Sequence, residues 1–195
     1  MIRDAELIQI VEAALNEAAR KSGGWLACRL GCTECCMGPF PITPLDAERL
    51  REGLRDLKSR DPERANRVRE RARASADRLR REFPEDTVAR VLAADEAAQE
   101  EPCPALDPKT GACDLYAARP ITCRTFGPAV RFGSEPEEQV LGVCELCYRG
   151  ATNEQIALCQ VEIDPEPEIQ LLEELERTTG ARADTLVAFA LTEAS

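Results

Sequence analysis

Histidine is absent from this 195-residue chain, which carries ten cysteines. Any metal it binds must therefore be held mainly by thiolate, and no imidazole base is on hand for catalysis. Aromatic residues are scarce at 4%, so aliphatic and alanine-rich helix faces must supply much of the core. No apolar run approaches the roughly 20 residues that span a bilayer; the best, Leu186 to Leu191, is far too short. The amino-terminal stretch carries Arg3, Asp4, Glu6 and Glu12 and lacks the unbroken apolar centre of a secretory leader. It reads as an amphipathic helix of a cytoplasmic protein with no membrane segment. No G-x-G-x-x-G, P-loop or nucleophile-elbow serine occurs, so catalysis by side chains alone is poorly supported, and an enzyme would have to work through a metal centre or another cofactor. The formal net charge of -11 opposes nonspecific binding to nucleic acid or an anionic membrane, because the long-range field repels phosphate.

What the chain does have is cysteine in a telling arrangement. Cys28, Cys32, Cys35 and Cys36 crowd one short stretch, Cys103, Cys113 and Cys123 punctuate a turn-rich segment, Cys144 and Cys147 form a C-x2-C pair, and Cys159 stands alone. Disulfides, a metal or iron–sulfur site, and plain buried small residues compete to explain them. A reducing cytoplasm disfavours disulfides. Adjacent Cys35 and Cys36 disfavour them again, since two bridges leaving neighbouring residues are awkward to close.

Between and beyond the cysteines the pattern is helical, which predicts a mostly α fold: several helices around a cysteine-rich core of loops and short hairpins. Leu7, Val11, Leu15 and Ala18 repeat at helical spacing until Gly23-Gly24. Thr43-Pro44 and Asp61-Pro62 each read as an N-cap followed by proline at the first helical position. The first opens a helix with Leu50, Leu54 and Leu57, and the second a long one with Ala65, Val68, Ala72, Leu79 and Phe83. A further helix is predicted over 85–99, with Val88, Val91 and Leu92 inward. The long helix is rich in arginine from Arg60 to Arg81. This is either a docking face for an acidic partner or a solvated face offset by Glu63, Glu70, Asp77 and Glu82 through helical pairs, and the second reading is preferred. Asp107-Pro108 and Thr110-Gly111 predict a hairpin with Cys103 and Cys113 near its arms, after which Arg119-Pro120 turns the chain to bring in Cys123. Residues 130–132 and 139–143 predict a second hairpin around Glu135-Pro136. Asp164-Pro165 starts a helix that Gly180 ends, and Leu186, Val187, Ala190 and Leu191 belong to another. The expected organisation is a single domain, 1–195, with a metal-binding core at 25–40 and 101–148, a helical insertion at 43–100 and carboxy-terminal helices at 152–193.

Cys28-x3-Cys32-x2-Cys35-Cys36, followed by Cys103-Pro-Ala-Leu, Cys113-Asp-Leu-Tyr116, Arg119-Pro120 and Cys123-Arg124-Thr-Phe126, resembles the YkgJ-like cysteine-cluster family. The resemblance covers roughly residues 28–147 and implies a zinc- or iron-chelating domain. Two departures stand out: the first spacing is one residue longer than C-x2-C, and Thr33-Glu34 replaces the glycine often found before the paired cysteines. A related cysteine-rich region in flagellin lysine methylases looks like an iron–sulfur site, so the resemblance implies metal binding more firmly than any one reaction.

Iron–sulfur clusters and structural zinc both accept four thiolates. Cys28, Cys32, Cys35, Cys36, Cys103, Cys113, Cys123, Cys144 and Cys147 exceed one tetrahedral site, which implies two mononuclear sites or at least one cluster. The dense first loop, able to wrap a bulky cluster, tilts the expectation to iron–sulfur, with a redox or modification-associated role; the alternative is a zinc-stabilised interaction module, which leaves room for a protein partner. Cys159 reads as a buried small residue inside a helix over 152–160. Arg119 and Arg124 bracket Cys123 and are candidates to neutralise the negative site, Arg124 more so because it follows a ligand directly. Tyr116 is expected to pack under the hairpin and Trp25 to cover the site.

Overall fold

The computed structural model describes residues 3–85, 87–93, 101–132, 140–144 and 146–192. In chain order its elements are α1 (Asp4–Ser22), β1 (Pro41–Ile42), α2 (Pro44–Arg60), α3 (Pro62–Glu82), α4 (Thr87–Ala93), β2 (Leu106–Asp107), β3 (Ala112–Cys113), α5 (Ile121–Thr125), β4 (Val130–Phe132), β5 (Val140–Gly142), α6 (Asn153–Cys159), β6 (Val161–Glu162), α7 (Glu166–Thr179), β7 (Thr185–Leu186) and α8 (Val187–Thr192). The fold is mostly helical, as the periodicity requires. The start signals work through side-chain caps: Thr43 accepts the Asp46 amide at 3.2 Å, and Asp61 accepts that of Arg64 at 3.0 Å, each satisfying an otherwise orphaned N–H ahead of a first-turn proline. Gly180 closes α7 in the left-handed conformation, where a Cβ would be penalised. The helix expected over 85–99 begins at Thr87, and positions 94–100 lie outside the described residues.

The chain divides into two compact units, each assembled from two segments: Met1–Arg29 with Ile121–Gly180, and Leu30–Pro120 with Ala181–Ser195. They are called unit 1 and unit 2 below.

In unit 1, α1 buries Leu7, Val11 and Ala18 against α5, α6 and β6. A three-stranded sheet in the order β5-β4-β6 carries the expected second hairpin, β4 antiparallel to β5 with Val130 opposite Gly142, and adds β6 in parallel with Val130 opposite Val161. The turn between β4 and β5 lies outside the described residues. A small cluster of Ala129, Cys144, Cys147, Tyr148 and Cys159 is buried beside Leu26, Ala27 and Ile156.

In unit 2, α2, α3 and α8 enclose the larger core, in which Leu50, Leu54, Val68 and Leu191 are almost fully buried. Ala65, Ala72 and Ala76 line α3, and these small side chains let α8 pack closely, the expected answer to few aromatics. β1 pairs with β7, and β2 with β3. Gly53 of α2 fixes the next segment: a Cβ there would stand 2.3 Å from that of Ala118, so only glycine admits the chain that leads on from Cys113. Leu115 and Ala118 are thereby seated in the core, with Cys103 and Cys113 packed against it.

Candidate metal centre

No disulfide joins any of the ten cysteines, all of which lie among the described residues. Unit 2 holds Cys32, Cys35, Cys36, Cys103 and Cys113; unit 1 holds Cys28, Cys123, Cys144, Cys147 and Cys159. Cys123, expected beside Cys103 and Cys113, thus belongs to the other unit's segment, on α5.

Backbone pairing assembles the thiols of unit 2. The Cys36 amide closes a tight turn onto the Thr33 carbonyl at 2.8 Å, and the Cys103 amide donates to the Cys36 carbonyl at 2.7 Å. Met37 bridges Pro102, and the Gly38 amide reaches the Glu101 carbonyl at 2.9 Å. The first cysteine stretch is thus stitched to the second across more than sixty residues of sequence. The expected hairpin follows, with Leu106 opposite Cys113. Asp107 shapes its turn by accepting the Lys109 amide and the Thr110 hydroxyl, both at 3.0 Å.

Three arginines of α3 take a role that neither sequence reading named. Arg64 and Arg71 reach the two carboxylate oxygens of buried Asp114, each at 2.5 Å, and Arg71 also donates to the Pro104 carbonyl at 2.8 Å. Arg78 grips Glu101 with two bonds of 2.7 and 2.6 Å. These three arginines clamp the residues flanking Cys103 and Cys113. Their spacing of seven residues, two helical turns, was the available signal, because it puts them on one stripe. The intrahelical pairing survives in Arg80 with Asp77, at 3.7 Å.

The Cys35 and Cys36 sulfurs stand 4.0 Å apart. Donation from the Cys36 thiol pulls Cys35 down to about 6, against burial and with help from the Arg119 charge, while the same bond and burial push Cys36 up. Burial lifts Cys103 to about 12. It also lifts Cys113, opposed by the Leu115 amide and by Arg119. A metal-free pocket of this kind keeps most of its thiols protonated, and a bound cation would supply the missing charge and displace the protons.

Of the two arginines proposed to neutralise the site, Arg119 places its charge near the thiols of Cys35 and Cys113. Its guanidinium lies 3.6 Å over the Tyr116 ring, and its Nε donates to the Tyr116 carbonyl at 3.0 Å. Tyr116 does not pack under the hairpin; it is 63% exposed, because the chain turns it away from the core that takes Leu115 and Ala118. Arg124 is buried and reaches Glu12 of α1 at 2.5 Å.

In unit 1 the Cys28 and Cys147 sulfurs are also 4.0 Å apart, and the Ala27 amide donates to the Cys147 sulfur at 3.4 Å. Cys147 closes a turn onto the Cys144 carbonyl at 2.9 Å. The next residue, Tyr148, adopts a left-handed backbone, φ 56, unusual for a bulky side chain and worth about 1–2 kcal/mol of strain. Its surroundings hold it there. Its amide donates to the Trp25 carbonyl at 2.9 Å, and its hydroxyl meets Ser22 Oγ at 2.6 Å and accepts the Ala129 amide at 2.9 Å. Trp25, which contributes this carbonyl, is itself 36% exposed. Gly127 is obligatory: at φ +128, a Cβ there would lie 2.6 Å from the Cys28 sulfur. Cys159 is buried in α6, and its thiol donates to the Lys21 carbonyl at 3.4 Å.

Among the described residues the thiols meet in pairs, and no three side chains of metal-ligating type are drawn together as a finished cage. The pairs nonetheless fit a metal. Two thiolates at the usual bond length from one tetrahedral ion stand about 3.8 Å apart, close to the 4.0 Å of both pairs. An all-sulfur donor set selects soft metals such as zinc and the iron of iron–sulfur clusters.

Residues 27–148 match the model of the family CxxCxxCC, described as a "putative zinc- or iron-chelating domain", and they make up more than half of the chain. No curated protein and no solved structure matches it.

Proposed function

Because the chain belongs to the CxxCxxCC zinc- or iron-chelating family, we propose that it is a metalloprotein whose cysteine thiolates hold an iron–sulfur cluster with a redox or modification-associated role. The observation that carries this reading is the neighbouring pair Cys35 and Cys36 with sulfurs 4.0 Å apart, beside a cation, Arg119. That spacing suits two thiolates on one iron, the arrangement of a [2Fe–2S] centre, and a positive charge nearby tunes its potential. Unlike a structural ion, a cluster also gives the chain a chemical activity that its histidine-free side chains do not offer.

A second reading is favoured by the same spacing, because it equally fits an edge of a zinc tetrahedron. The chain would then be a zinc-stabilised interaction module. Anaerobic purification followed by an ultraviolet–visible spectrum and Fe, Zn and sulfide analysis tests the choice. A brown protein with acid-labile sulfide is expected. A colourless protein with stoichiometric zinc and no sulfide replaces the first reading with the second.

A further inference from the structure

We infer that the chain carries two metal centres: one in unit 2 held by Cys35, Cys36, Cys103 and Cys113, and one in unit 1 held by Cys28, Cys123, Cys144 and Cys147. Cys32 belongs to neither. The inference rests on thiolate chelation and adds how the ligands are shared out and how many ions they take.

In unit 2, the Cys35 and Cys36 sulfurs stand 4.0 Å apart, and the Cys103 amide donates to the Cys36 carbonyl at 2.7 Å. The Leu106 amide closes a turn onto the Cys103 carbonyl at 2.9 Å, and Leu106 stands opposite Cys113 in the β2–β3 register, which groups all four cysteines through the backbone. Four sulfurs complete a tetrahedral shell, and Cys32, in the loop before the Glu34–Cys36 turn, is surplus to it.

In unit 1 a separate set has its own construction. Cys28 and Cys147 already stand at the separation of two sulfurs on one ion, and the turn that closes Cys147 onto the Cys144 carbonyl adds a third thiol. Cys144 and Cys147 are 7% and 4% exposed. The fourth thiol, Cys123, sits on α5, four residues before Gly127, whose missing Cβ is what admits the Cys28 sulfur. The Ala27 amide donates to the Cys147 sulfur at 3.4 Å, the kind of N–H bond that supports bound thiolate. Loaded with Zn2+, each centre holds one ion through its four sulfurs, with one proton displaced from each protonated thiol.

Zn2+ counts the sites whatever the native metal. Apo protein titrated anaerobically with Zn2+ should bind two equivalents by native mass spectrometry, and Cys147→Ser and Cys113→Ser should each bind one. Alkylation of zinc-loaded wild type gives a readout that needs no variant to fold: Cys28, Cys123, Cys144 and Cys147 should be protected together with Cys35, Cys36, Cys103 and Cys113, while Cys32 is labelled. One equivalent in the wild type, loss of all zinc from either variant, or protection of Cys32 with labelling of Cys123 overturns the two-centre assignment. A wild-type chain that takes up neither zinc nor iron instead refutes chelation itself, and so is distinguishable.

Discussion

The two thiol sets are held by different means. In unit 2 the scaffold is charged and long-range: three arginines on one stripe of α3 seize Asp114, Glu101 and the Pro104 carbonyl, and a helical core lies under Cys103 and Cys113. In unit 1, Cys144, Cys147 and Cys159 sit in a small cluster with Ala129, Leu26, Ala27 and Ile156, beside Tyr148 in a strained backbone with its hydroxyl shared between Ser22 and Ala129. The cysteines are themselves much of what is buried there. On this comparison the first arrangement should hold its cysteines in place without metal, and the second should draw more of its order from whatever the thiols bind. Metal should therefore be worth more structurally to unit 1.

Removing the metal is the strongest way to break this comparison. Chelator-treated protein should lose amide protection over 140–151 by about 100-fold or more, while 101–118 loses less than about 10-fold, because metal binding energy is folding energy where little else orders the chain. Hydrogen exchange with mass spectrometry reads both segments in one sample. Equal loss in the two would show that the arginine clamp does not pre-form its site.

Asp114 tests that clamp directly. Its side chain is almost fully buried between Arg64 and Arg71, and removing one partner of such a network leaves charge uncompensated. Asp114→Asn should cost about 3 kcal/mol, given the typical penalty for breaking a buried pair, and should release metal from unit 2 first. Urea denaturation and metal analysis check it. A loss within experimental error would mean that solvent already satisfies both arginines.

Much of this was legible in the sequence and some was not. Helix starts were readable because Thr43-Pro44 and Asp61-Pro62 act through local chemistry. The hairpin between Cys103 and Cys113 was readable because Asp107 builds its own turn. The role of Arg64, Arg71 and Arg78 was obscured by acidic residues on the same helix: helical pairing and a long-range clamp share one composition and differ only in spacing, and the partners lie 23 to 50 residues away. The division of the cysteines between two units left no local signal: Cys123 follows Cys113 by ten residues, yet it falls in the segment of unit 1 that begins at Ile121. Tyr148 left no signal, since a left-handed residue is read from glycine or asparagine and here the strain falls on tyrosine. Gly127 was visible only as a glycine; its meaning comes from the sulfur beside it.

A smaller effect probes the other side of the comparison. Tyr148→Phe keeps the ring but removes the hydroxyl that accepts the buried Ala129 amide, leaving that donor unsatisfied at a cost of about 1–2 kcal/mol. If unit 1 leans on its metal, the cost should be larger in apo protein than in loaded protein, by thermal denaturation of both. An equal cost in both forms would show that the tyrosine and the thiols stabilise the fold independently.

The smallest effect belongs to Arg78 and Glu101 and is recognised by its pH dependence. Burial works against ionisation of Glu101, yet the Arg78 fork and Ser75 outweigh it and hold the carboxyl below its usual range. A carboxyl depressed in the folded state stabilises fully above its unfolded value and loses that contribution as pH falls through the folded one. Arg78 is partly exposed, so Arg78→Gln should cost only about 0.5–1 kcal/mol at pH 7. The gap to wild type should close on acidification below the ordinary carboxylate range, as Glu101 is protonated in both proteins. Urea midpoints at pH 7 and pH 3 measure it. A gap that stays open in acid would assign the loss to the packing of the arginine stem instead of its charge, and would reduce the clamp on unit 2 to the two arginines at Asp114.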